Sequence, residues 1–413
     1  MATVSIRDFI GPPYLLCPAC GGETFGVMAI EPASYTRTCR GCLHTQDFRL
    51  PTLKKKIIYL DQFVVSELMK LNTPTTKGHA AVSAEPFWRK LWDLVKELRN
   101  LQLICCPSSG EHVNESLLSP FYKALKETYD HLSGGVSFDS CESIKRQQIA
   151  TLARAWARGE TPEFDFDADG VTSGDPHRWL ERYYITHNDF MEHHVDVVRE
   201  DRQKLHEGMT RVFNNSYRVH RFTFAQWFEL ERHSHQKYML NAVKDRVQRK
   251  LSLMATPWQI GLSDVLDSDA EMTTQLILET MNRESHPAPK GVELAQSFFN
   301  AQRIGDAPFN KIGAAMHASI AMKAAAGQKN PPNQGMVTDI ELVETLLPYC
   351  DAMFMDNGCR AVLMDVPKAY LPEGADRVYS LNRKEEFLSY LRALRDSAPP
   401  EHLSTVQEIY GNR

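Results

Sequence analysis

The chain has 413 residues, 43% of them hydrophobic and 24% charged, with a net charge of −5. That balance fits a globular protein of two domains, or one elaborated domain, and excludes a mainly disordered chain. The slightly acidic total excludes a chain that is basic all over, though not a local basic patch.

Without an apolar run of the ~18 residues that a membrane helix needs, no membrane partner is expected. The opening residues, Met1 to Leu16, lack the basic segment and apolar core of a secretory signal, so a cytoplasmic location is expected.

The first chemistry in chain order is carried by cysteine. Cys17 with Cys20 and Cys39 with Cys42 form two CxxC pairs 18 residues apart. Each pair turns the backbone so that two thiolates converge, and four soft sulfurs complete a closed tetrahedral zinc site. A closed site makes the zinc structural. Gly21, Gly22 and Gly41 relax the turns, and residues 24–28 and 34–38 read as short strands. Residues 14–49, within a module spanning 1–50, resemble a zinc ribbon, with Arg37, Arg40, His44 and Arg49 as candidate phosphate contacts. The other five cysteines (Cys105, Cys106, Cys141, Cys350, Cys359) read as small buried hydrophobes.

After Lys54, Lys55 and Lys56, the run Ile57 to Leu60 closed by Asp61 reads as a buried parallel strand. A helix follows in two pieces, 63–71 and 85–100. Residues 101–106 read as a second strand, and a helix then runs from Pro107–Gly110 to about His131. Glu111, three residues after Ser108, fits a capping box. Glu115, one turn on, projects the same way, toward the strand ends.

Residues 140–330 read as helical without a convincing strand, in pieces at 142–158, 178–207, 220–251, 270–284, 290–301 and 308–326. An acidic loop, 160–174, interrupts them, and 328–335 ends them. A helix at 338–347, a strand at 352–355 ending in Asp356, a strand at 377–381 and a helix at 384–396 follow. The predicted architecture is α/β: an open, mostly parallel sheet in two halves, 51–131 and 336–413, separated by a large all-helical insertion at 132–335.

In such sheets the functional crevice lies at the carboxyl ends of the strands, where Asp61 and Asp356 fall. From Asp339 a helix descends roughly 15 Å, and the strand from Asp351 climbs back about 16 Å to Asp356. Asp339 and Asp356 should therefore meet at one edge, with Asp351 left at the other. Several buried carboxylates need compensation. Mg²⁺ or Mn²⁺ supplies it and keeps waters that leave room for a phosphate.

Residues 57–68, 106–115 and 339–356 together resemble a PIN-like nuclease, over roughly 57–131 and 336–395 of this chain. The resemblance implies Asp61, Glu115, Asp339 and Asp356 as catalytic acids. Asp61, Asp339 and Asp356 would hold Mg²⁺ or Mn²⁺, and Glu115 would be a fourth ligand or would orient the attacking water. It also implies endoribonuclease activity on single-stranded or structured RNA and, by analogy, a toxin or phage-defence setting. Two departures stand out. Gln62 follows Asp61 where threonine is common, and more than 200 residues separate Glu115 from Asp339.

Two rivals share these residues: a non-catalytic nucleic-acid- or partner-binding protein with a degenerate PIN-like fold, and a flap-type DNA nuclease. The helical insertion is the candidate surface for a protein partner. Within it, Arg178, Arg182, Arg199, Arg202, Arg211, Arg218 and Arg221 alternate with Tyr183, Tyr184 and Tyr217. They make either an RNA-holding surface or an ordinary charged helix face, since Glu181, Asp196, Glu200 and Asp201 lie among them. Glu192-His193-His194 and His233-Ser234-His235 suggest metals, but neither forms an HExxH pair. Asn357 is a candidate for steering a water or a phosphate. No phosphate-binding P-loop and no nucleophile elbow is present.

Overall fold

Ile57, Ile58, Tyr59 and Leu60 are all buried, which requires a strand covered on both faces. The computed structural model describes residues 5–181, 195–253, 268–284 and 290–411.

An antiparallel sheet comes first, with β1 (Gly11–Leu15), β2 (Phe25–Ile30), β3 (Ser34–Cys39) and β4 (Thr45–Arg49) paired in chain order. Its middle strands are the two predicted. The first half of the main sheet contains β5 (Lys56–Leu60), α1 (Gln62–Asn72), α2 (His79–Ala84), α3 (Pro86–Asn100), β6 (Ile104–Cys105), α4 (Gly110–Leu117) and α5 (Tyr122–Ser133). Two boundaries differ from expectation. The strand predicted at 101–106 shrinks to β6 because Gln102, at φ 59, turns the chain out of extended geometry. The helix predicted to run on to His131 breaks before α5 at Pro120, whose ring cannot continue a helix.

The long middle of the chain holds β7 (Ser137–Phe138), α6 (Cys141–Arg158), β8 (Thr172–Ser173), α7 (Val195–Val212), α8 (Phe224–Leu253), α9 (Asp269–Glu284), α10 (Lys290–Asn300) and α11 (Pro308–Ala325). It is therefore not all-helical, since β7 and β8 form a two-residue antiparallel ribbon. Strands that short have no periodicity to detect. The predicted helix at 178–207 is helical only from Val195, and residues 182–194 lie outside the described residues. The chain closes with α12 (Gln334–Leu346), β9 (Ala352–Phe354), α13 (Asn357–Met364), β10 (Val378–Tyr379), α14 (Lys384–Asp396) and α15 (Pro400–Tyr410).

The main sheet has the order β10-β9-β5-β6, and every pairing is parallel. Successive side chains of a strand point to opposite faces, and the cores follow that rule. Ile57, Tyr59, Met353 and Met355 join one core with α6, α11, α12 and α13. Ile58, Leu60, Ala352 and Phe354 join the other with α1, α3, α5 and α14. A third core links α6, α8, α9, α10 and the start of α11. The antiparallel sheet packs on α15 through Val27, Ile30, Tyr35, Val406 and Ile409. Among the described residues no helix is long and apolar enough to cross a membrane.

Strand β5 has its next strand, β6, on one side and the later β9 on the other. The connection therefore changes direction between β5 and β9. Open parallel sheets form their ligand crevice at such a switch point, beyond the carboxyl ends of the strands.

Candidate functional site

The two cysteine pairs sit on turns with the same hydrogen-bond pattern. Gly21 N–H donates to Cys17 O and Cys17 N–H to Gly22 O, at 2.8 and 2.9 Å. Leu43 N–H donates to Cys39 O and Cys39 N–H to His44 O, at 3.0 and 2.9 Å. Each turn needs one left-handed residue, Gly21 at φ 72 and Leu43 at φ 61. The four sulfurs all lie within 4.8 Å of one another, with Cys17 to Cys42 at 3.6 Å and Cys20 to Cys39 at 3.7 Å. Sulfurs about 2.3 Å from a tetrahedral zinc stand about 3.8 Å apart, so the tetrad can hold an ion of that kind.

The thiol electrostatics fit the same use. Hydrogen bonds from the Thr24 hydroxyl and then the Cys42 backbone pull the Cys39 thiol down to about 6. The His44 backbone N–H favours the Cys42 thiolate, but the sulfur of Cys20, burial, and the sulfurs of Cys17 and Cys39 hold its thiol up at about 12. A cation resolves that conflict. Arg37 is not a phosphate contact. It is fully buried and donates to Pro13 O, Phe25 O and Glu408 O at 2.8, 3.1 and 2.6 Å, tying the ribbon to α15.

Both aspartates at the switch point are helix N-caps. Asp61 accepts from Gln62 N–H at 2.7 Å and caps α1. Asp356 accepts from Gly358 N–H at 2.6 Å and caps α13. Asp61 is 7% exposed, whereas Asp356 is open to solvent. Burial pushes the Asp61 carboxyl well above the usual range. The charges of Asp339 and Glu115 add to the rise, the Gln62 N–H opposes it, and Asp356 adds again. Burial, then Asp356 and Glu115, push Asp339 up to about 7, against the pull of Arg202. The four acids thus share one edge, with the buried Cys359 beside Asp339, Asp61 and Asp356. Their grouping is looser than the cysteines'. Among the described residues, three or more ligand atoms come within 4.8 Å of one another only in the cysteine tetrad and in Asp167, Asp169 and His177. An open ring of this kind suits an ion that keeps several waters.

Arg202 of α7 is built into this edge. Its guanidinium pairs with Glu115 and lies 3.4 Å from Glu111, so it faces the acids rather than an open RNA surface. Other members of the predicted basic surface are also used internally. Arg178 donates to Gly134 O at 2.8 Å, and the buried Tyr217 donates to Glu231 at 2.9 Å. Arg182, Tyr183, Tyr184, Glu192, His193 and His194 lie outside the described residues. His235 is buried against Phe309 and held neutral, its pKa lowered to about 4 by burial.

Sequence reasoning missed His112. The capping box of α4 is Ser109 with His112, not Ser108 with Glu111. Ser109 N–H donates to His112 Nδ1 at 3.0 Å, so the ring proton sits on Nε2 and reaches Leu60 O at 2.8 Å. That bond fastens α4, and with it Glu115, to the residue before Asp61. The detectable signal was S-x-x-H in place of the usual S-x-x-E. Next to Asp61, the Gln62 amide donates to Ser116 at 3.2 Å while its Oε1 is buried without a hydrogen-bond partner. Asp351 is at the opposite end of the sheet, bound to Lys56 and to Ile57 N–H at 2.8 Å each. Asn357 accepts from Asn382 N–H at 3.0 Å.

The Asp167, Asp169 and His177 group is a poor metal site. His177 Nδ1 accepts from Lys55 N–H at 3.1 Å, which leaves a proton on the Nε2 that faces the acids. The Lys54 ammonium already pairs with Asp167.

No family model, curated protein or solved structure matches this chain.

Proposed function

We propose that the chain is a metal-dependent nuclease, an endoribonuclease by its resemblance to PIN-like enzymes, with Asp61, Glu115, Asp339 and Asp356 as its working acids. The observation that carries this reading is the convergence of four carboxyl groups, two with raised pKa values, at the switch point of a parallel sheet. Acids that repel one another in a half-buried edge are better explained by a missing cation than by stability.

Asp61, Asp339 and Asp356 would hold Mg²⁺ or Mn²⁺. When bound, the ion supplies positive charge to a phosphodiester and lowers the pKa of a bound water. The chain's own contribution is positional. The two N-caps fix Asp61 and Asp356, the His112 bond to Leu60 holds α4 in place, and Glu115 orients the water or completes the ligand set. The cysteine tetrad would hold a structural Zn²⁺. The reading extends to a cytoplasmic protein and, by analogy with such nucleases, to toxin or phage defence.

The test is labelled RNA with purified protein. Cleavage should require Mg²⁺ or Mn²⁺ and fall by at least about a hundredfold in Asp61→Asn. Metal-dependent cutting that survives Asp61→Asn would overturn the assignment. Flapped DNA in a parallel reaction separates the DNA-nuclease alternative. One observation favours a second reading, a non-catalytic nucleic-acid- or partner-binding protein. The pairing of Glu115 with Arg202 already neutralises part of the ring. In that case Mn²⁺ titration should detect no tight site.

A further inference from the structure

A second site lies at the other end of the sheet and is independent of the nuclease reading. We propose that the cleft at the amino-terminal margin of β9 and β10 binds a nucleotide, its base against aromatic rings and its phosphate on Lys311 and Arg377. The cleft encloses about 700 Å³, within the range of small-molecule sites. Its walls include Pro348 and Arg377, which precede β9 and β10, so the acids at the opposite strand ends are roughly 16 Å away.

One wall is aromatic. Phe166, 44% exposed, stacks with Phe164 at 6.1 Å and 13° between ring planes. Across the cleft Tyr370 is braced at 5.0 Å by both Phe224 and Phe228. Exposed rings fixed in this way offer a flat apolar surface with little further ordering cost, which suits a planar base.

The cations supply the second half of a nucleotide's chemistry. Arg377 donates to Cys350 O at 3.0 Å, and its guanidinium fills the space where a Cβ of Gly374, at φ +82, would be. The backbone therefore aims it, with no carboxylate needed. Lys311 is exposed on α11. Among the described residues neither Lys311 nor Arg377 forms an ion pair within 4.0 Å. Arg232, also in the wall, has a buried Nε without a hydrogen-bond partner. Of the two acids in the lining, Asp306 is paired with Arg303 at 2.8 Å. Glu373 remains at the exposed rim, where a base amino group or a ribose hydroxyl can use it. Planar rings with uncompensated cations in one enclosed cleft favour a phosphorylated base over a neutral or purely anionic ligand.

The experiment is calorimetric titration of the full chain in EDTA with 5′-AMP, GMP, CMP and UMP, with the nucleosides and inorganic phosphate as comparison probes. At least one mononucleotide should bind, about tenfold or more tighter than its nucleoside or phosphate, the worth of one charge-assisted contact. Phe166→Ala and Lys311→Ala, both surface changes, should each weaken it by about tenfold, while Asp61→Asn leaves it unchanged. No binding by any mononucleotide, phosphate binding as tight as the nucleotide's, indifference to both cleft variants, or loss in Asp61→Asn would each overturn the proposal. RNA cleavage is not the readout, so a failed nuclease assignment leaves this result interpretable.

Discussion

Asp61 serves two roles that conflict in a protein without metal. As the N-cap of α1 it supplies an oxygen to Gln62 N–H, and as a buried acid beside three others it carries an uncompensated charge. An asparagine keeps the cap and drops the charge. Asp61→Asn should therefore raise the melting temperature in EDTA by about 2–4 °C, the response of a chain this size to ~1 kcal/mol, while tight Mn²⁺ binding disappears. A lower melting temperature would show that the ionised carboxylate stabilises the fold. Arg202 poses the complementary question. Its guanidinium sits on Glu115 and near Glu111, where it competes with a divalent ion for the same negative charge. Arg202→Gln should tighten Mn²⁺ binding by about five- to tenfold, roughly 1 kcal/mol. Unchanged or weaker binding, read by calorimetry, would remove Arg202 as a competitor. Residue identity was legible here, since all four acids and Arg202 stand out in the sequence. The partner of Arg202 was not, because α7 is 87 positions from Glu115.

The elements around the edge are held by a few specific bonds. His112 is buried against Tyr59 at 5.2 Å between ring centroids, and burial lowers its pKa to about 4, so it stays neutral and donates from Nε2. His112→Ala removes that packing and leaves Leu60 O short of a donor. It should cost ~2–4 kcal/mol in denaturant unfolding and lower cleavage through a misplaced α4. A variant as stable as the parent would show that α4 is held by other contacts. In the amino-terminal module, Cys39→Ser should abolish bound zinc and lower the melting temperature, because metal binding and folding are coupled in such small modules. Zinc content by elemental analysis reads the result directly. Helix and strand identity followed from periodicity for the long segments. It failed at Gln102 and Pro120 and for the two-residue strands β7 and β8, where one backbone angle or a distant partner decides the geometry.

At the scale of the molecule, proton linkage separates the acid edge from the rest. Asp339 has a folded pKa of about 7 against about 3.9 in an unfolded chain. Over that window the folded state holds protons that the unfolded state has already lost, so this contribution to stability falls as pH rises through about 7. Neutral buried His112, His131 and His235, each lowered to about 4 chiefly by burial, act in the opposite sense below their ordinary range and mask it there. Asp339→Asn isolates the acid. Its melting-temperature advantage over the parent in EDTA should grow from pH 5 to pH 8, about the range in which a carboxyl raised this far ionises. An advantage that is constant with pH would mean that Asp339 does not titrate in this window. Saturating Mn²⁺ should reverse the sign, because the ion binds the ionised acids.

What the sequence determined by itself was local. The CxxC spacing, the apolar run closed by an acid at Asp61 and the helical periods of the long middle segments each depend on residues a few positions apart. Burial and turn geometry act at that range. Only the tertiary structure decided which strand lies beside β5, and so where the direction of the sheet changes. It alone decided that Arg37 is locked under α15, that Arg202 faces the acid edge and that an aromatic cleft forms beside Arg377. Those outcomes depend on which distant surfaces pack together, and that choice is made by the summed burial of whole elements rather than by any local pattern.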